Sequence, residues 1–86
     1  MRQNEFVSKR KLEKSIRTQL SEIVDLLYKK SGEQDFAEFS GRFWENYDED
    51  NICLALKETA KVLNDERIYH RAEKLQQTFK DLKEAV

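Results

Sequence analysis

No proline and only two glycines occur in this chain of 86 residues. Sandwiches and barrels reverse direction many times and rely on those residues for backbone angles that others avoid, so the sequence is left with helices. An all-α fold is expected. Five Phe, three Tyr and one Trp separate the chain from disordered sequences, which are poor in aromatics. Charged residues still make up 38% and mean hydropathy is −0.88, so the core is thin. A chain this short buries only roughly two thirds of its unfolded surface, and residues 1–86 read as a single helical domain.

Apolar spacing divides the chain into four segments. Leu12, Ile16, Leu20, Ile23, Val24 and Leu27 stack on one side of a 3.6-residue helix. Ser8 is a candidate N-cap, Val7 with Leu12 a candidate hydrophobic staple, and Lys29, Lys30 and Gly32 suit a C-terminus. These signals predict a first helix near 9–31. Phe36, Phe39, Phe43 and Tyr47 fall within a narrow arc behind an Asp35 cap, which predicts a short aromatic helix near 35–46 whose stripe is core. Gly41 inside it marks either a weak point or a close approach of another backbone. Tyr47-Asp48-Glu49-Asp50 before Ile52 and Leu63-Asn64-Asp65-Glu66 before Ile68 share one pattern: an apolar residue, an Asp or Asn cap at 48 or 64, acids in the first turn, and an isoleucine completing a staple. They predict helices near 49–63 and 65–84.

The third helix carries Ile52, Leu56, Ala60 and Leu63, flanked by Ala55, Val62 and Cys53, on a face almost half its circumference, which predicts the innermost position. In the fourth, Ile68, Ala72, Leu75, Phe79, Leu82 and Val86 step by four and three along a narrow heptad seam. A small antiparallel bundle of about four helices accommodates all of this, with the first and fourth paired and the shorter two covering them. The apolar phase jumps by five residues between Leu63 and Ile68, so one long helix 3/4 is the rival topology.

Charge and motifs then bound the function. The longest apolar run, Ile52 to Leu56, is far short of the roughly 18 residues that span a bilayer, and no signal-like segment opens the chain; a cytoplasmic, non-membrane protein is expected. Cys53 has no second cysteine to pair with. Asn46, Asp48 and Asp50 alternate like the first ligands of a calcium loop, but Asn51, Leu54 and Lys57 occupy the positions that need glycine, an oxygen ligand and a bidentate glutamate. An acidic helix start explains them. His70 with Glu66 forms a single i, i+4 pair, too few ligands for a metal and without a positioned nucleophile for acid–base work. No cofactor, metal or enzymatic activity is expected.

The net charge of −1 conceals a split: residues 1–31 carry eight Lys/Arg against four Asp/Glu, and residues 32–51 carry one against seven. The best lead is the aromatic segment, where Trp44 and Arg42 border the stripe as interface anchors do. The expected function is a non-enzymatic protein–protein interaction module, a small helical adaptor, regulator or inhibitor that includes the immunity type. It binds another protein through Phe39, Arg42, Trp44, Glu45, Asp48, Glu49 and Asp50. Self-association as a homodimer along Leu75, Phe79 and Leu82 is a second possibility. The alternative is a nucleic-acid-associated regulator using Lys9, Arg10, Lys11, Lys14 and Arg17 on phosphate or an acidic partner.

Overall fold

A computed structural model describes the backbone of residues 2–84 and the side chains of residues 9–84, and within them four helices occur: α1 Arg2–Ser31, α2 Phe36–Glu45, α3 Ile52–Leu63 and α4 Glu66–Glu84. α1 is 30 residues long, about 45 Å at 1.5 Å per residue, and it sets the 47 Å long axis of the molecule. The radius of gyration is 14.2 Å, where a compact chain of this length has about 12 Å; the bundle is a rod.

α1 and α4 run antiparallel. Gln19 meets Thr78, Glu22 pairs with Arg71, and Lys30 pairs with Asp65, a constant register along the interface. α2 folds back onto α1, and α3 onto α4. The backbones of α2 and α3 stay apart, with no Cα of one within 8 Å of a Cα of the other. The core is formed by Ile16, Leu20, Ile23 and Val24 of α1, Ile52, Leu56 and Ala60 of α3, and Ile68, Ala72 and Leu75 of α4.

Local signals place most boundaries, and four expectations need correction. α1 begins at Arg2, so Ser8 lies inside a helix and does not cap it; no breaker interrupts residues 2–8, and extending a formed helix costs far less than nucleating one. The staple contact of Val7 and the seam position Val86 lie outside the described side chains. Asp48 caps a lead-in turn instead of α3 itself: its Oδ1 accepts from the Asp50 amide at 3.1 Å and its Oδ2 from Asn51 Nδ2 at 2.8 Å, and α3 starts at Ile52.

Asn64 does not cap α4. It ends α3 at φ 53°, a left-handed conformation that Asn tolerates better than other side-chain-bearing residues. This breaks the chain into two helices, and Asp65 takes over as the N-cap, accepting from the amides of Arg67 (2.9 Å) and Ile68 (3.4 Å). Finally, α4 and not α3 is innermost. Ile68, Ala72 and Leu75 are fully buried, whereas Leu54 and Val62 of α3 are 60% and 85% exposed. α4 lies between two helices and α3 packs its backbone against one, so the wide apolar face of α3 is only partly covered.

Two caps agree with the sequence reading. Gly32 closes α1 at φ 74°, and Asp35 accepts from the Glu38 amide at 3.1 Å to open α2. One polar pair crosses the core: Gln19 Nε2 donates to Thr78 Oγ1 at 2.9 Å, and that hydroxyl donates to the Lys74 carbonyl. Gln19 Oε1 is buried without a partner, a defect worth about 1–3 kcal/mol.

Candidate interaction surface

α2 carries the aromatic stripe and buries none of it fully. Phe36 and Trp44 are each 44% exposed, and Phe39, Phe43 and Tyr47 are half-buried. The expectation that this stripe is core is therefore met only in part. It reaches α1 through Tyr28, whose ring meets Phe36 edge-on at 5.1 Å and Phe39 at 5.7 Å. Trp44 packs across Phe43 and Tyr47 at 5.2 and 5.5 Å between ring centres. The rings hold one another in place with one side in water, because a helix with a single backbone neighbour has nothing to cover its second flank.

Open grooves run along both sides of α2. One, of about 450 Å³, lies between α2 and α3 over Leu27 and contains Phe39, Phe43, Ile52, Ala55 and Leu56. Arg42, Asn46 and Thr59 edge it, and Arg42 is ion-paired with Glu33. The other, of about 400 Å³, lies over α1 and α4 and contains Trp44, Tyr47, Leu20, Phe79 and Leu82, edged by Glu13, Arg17 and Glu49. Burial, with Glu49, Cys53 and Asp48 adding to it, pushes the Tyr47 phenol above its ordinary value.

The residues singled out from sequence are thus divided. Phe39 and Arg42 belong to the first groove, Trp44 and Glu49 to the second, and Glu45 and Asp48 are exposed beside them. Asp50, with Glu49, also borders a third, polar depression between the start of α3 and the end of α4. Leu75 is fully buried within the chain and Phe79 and Leu82 pack against the same core. Leu75 is therefore not available to a second copy, whereas half-buried Phe79 and Leu82 also line the second groove. Leu27, Ile52, Ala55 and Thr59 were not expected at this surface; the excess width of the α3 face was the signal that some of its apolar residues lacked cover.

The other candidates sit as follows. Lys9, Arg10, Lys11, Lys14 and Arg17 are all exposed on the N-terminal half of α1. His70 is exposed and meets Glu73 at 3.2 Å, not Glu66; both acids are one turn away on the helix, and Glu66 occupies the first turn. Burial raises the Cys53 thiol and the Lys57 ammonium opposes it. Asp48 uses both carboxylate oxygens in its own turn, so one of the three alternating residues has its oxygens engaged locally, while Asn46 donates its Nδ2 to the Arg42 carbonyl. Among the described residues no group of three or more His, Cys, Asp and Glu is placed to hold a metal, and no helix is long and apolar enough to cross a membrane.

Comparison with family models, with curated proteins and with solved structures finds no match for this chain.

Proposed function

We propose that this protein is a non-enzymatic interaction module whose α2 surface holds another protein, acting as an adaptor, regulator or inhibitor. The observation that carries this reading is that the most aromatic helix buries no residue fully, leaves Phe36 and Trp44 each 44% exposed, and is flanked by two grooves with apolar floors. Tryptophan, other aromatics and arginine lining a recess are the residues that dominate binding energy at interfaces. Acids at Glu45, Asp48, Glu49 and Asp50 give the rim a negative field that selects and steers a partner. Photo-crosslinking side chains placed at Phe36 and Trp44, and at exposed Lys74 as a control, test it in the native host. Discrete adducts from the two α2 positions and none from Lys74 are expected. Equal labelling at all three, or none, overturns the reading.

A second reading rests on the exposure of all five cations from Lys9 to Arg17. A nucleic-acid regulator using them binds random duplex with a log–log salt slope of about −4.5 if each neutralises one phosphate. Absence of binding at low salt removes it.

A further inference from the structure

α2 is held differently from the other three helices. Among the described residues its hydrogen bonds and ion pairs stay within residues 33–47: Asp35 accepts from the amides of Glu38 and Phe39, Asn46 bonds back to the Arg42 carbonyl, and Arg42 pairs with Glu33. By contrast, α1 is tied to α4 and its cap through Gln19 with Thr78, Glu22 with Arg71 and Lys30 with Asp65. α3 is tied to α4 by Lys57 Nζ, which donates to Gln76 Oε1 at 2.6 Å. The buried apolar side chains of the core also belong to α1, α3 and α4. What holds α2 is apolar contact: Phe36 and Phe39 against Tyr28, and half-buried Phe43 and, just past the helix, Tyr47 against the core. At 10 residues α2 is shorter than the roughly 12–15 at which a helix holds by itself in water, and Gly41 weakens it further. It is joined to α1 through Gly32, at φ 74°, and to α3 through residues 46–51.

We propose that α2 is a detachable flap, which leaves α1 and unwinds as one unit while α1, α3 and α4 stay folded. No polar link between α2 and another helix among the described residues has to break, and the side chains at zero exposure, Ile68, Ala72 and Leu75 among them, lie on helices that remain in place. Few buried contacts and an exposed backbone are the features of segments that open below the global unfolding free energy. Opening removes Phe39, Phe43 and Trp44 from between the two grooves, whose floors at Leu27 and Leu20 then form one apolar trough along α1. The surface thus has two forms, a closed one with a groove on either side of α2 and an open one with α1 uncovered. Opening is a property of the chain by itself and needs no partner, so it stands or falls apart from the reading of α2 as a binding surface.

Native-state hydrogen exchange on the full chain in low urea tests it. The hydrogen-bonded amides from Phe39 to Asn46 are expected to exchange together, at least about tenfold faster than those of Ala72 and Leu75 after correction for intrinsic rates. Their exchange also rises less steeply with urea, because opening α2 exposes less surface than global unfolding. Two mild variants separate the flap from the core. Gly41→Ala favours the helical form of α2 and slows its exchange about fourfold. Ile68→Val, at a fully buried α4 site outside the cluster that Phe43 packs against, lowers the protection of Ala72 and Leu75 about fivefold and leaves the α2 amides unchanged. Equal protection of α2 and α4, α2 amides that follow Ala72 and Leu75 in Ile68→Val, or no response of α2 to Gly41→Ala each overturns the inference.

Discussion

α4 and α2 each present an apolar stripe at helical spacing, yet one holds three side chains at zero exposure and the other has no fully buried residue. Composition does not explain the contrast, since the α2 stripe is made of larger side chains. Neighbours do. α4 is flanked by α1 on one side and α3 on the other, while α2 packs its backbone against α1 alone. A stripe shows which way a helix faces; the number of helices arriving at that face sets how deep it goes.

The largest expected effect breaks the two apart energetically. Leu75→Ala empties a fully buried site in α4 and costs about 3–4 kcal/mol in urea unfolding, whereas Trp44→Ala in α2 costs less than about 1.5 kcal/mol because nearly half its surface is already wet. Equal losses would remove the distinction. Next is the buried polar contact on which α4 meets α1. Thr78→Val leaves the Gln19 amide with Ser15 Oγ as its one remaining acceptor and costs about 1–2 kcal/mol, while Thr78→Val with Gln19→Leu returns to within about 0.5 kcal/mol of the parent, because the unpaired amide hydrogen and the orphaned Oε1 disappear together. A smaller effect works in the opposite direction on α2. A Cβ added at Gly41 meets nothing within 4 Å, so Gly41 is a weak point and not a close approach; Gly41→Ala stabilises the chain by about 0.5–1 kcal/mol.

The subtlest test is at the helix caps. Burial acts to raise the Asp65 carboxyl, but the Lys30 ammonium and the amides of Ile68 and Arg67 outweigh it and hold it below its ordinary value. Its contribution is therefore complete above the unfolded-state value and is lost as pH falls through the lower folded-state value. Thermal melts of Asp65→Asn, which retains a capping oxygen, should show a flatter decline on acidification than the parent, with Asp35→Asn at the exposed α2 cap as the comparison.

Much of the fold was legible in the residues. The four apolar stripes, the Asp35 cap and the Gly32 stop follow from spacing and backbone chemistry within a turn or two, and they appear where that chemistry puts them. Caps at 8, 48 and 64 shifted because such residues permit a helix start without requiring one. Ser8 is carried inside a helix that nothing interrupts, and Asn64 is needed more for a left-handed turn than for its side-chain oxygen. The candidate site was half legible: Phe39, Arg42 and Trp44 stood out by type, but their division between two grooves did not, because it depends on which side of α2 each neighbouring helix approaches.

Local spacing, caps and the scarcity of helix breakers were enough to specify four amphipathic rods and the direction each one faces, since those are properties of single turns. Depth belongs to the assembled bundle. Whether a ring ends in the core or in water is decided by the arrival of a helix distant in sequence, and α3 leans on α4 while leaving α2 uncovered.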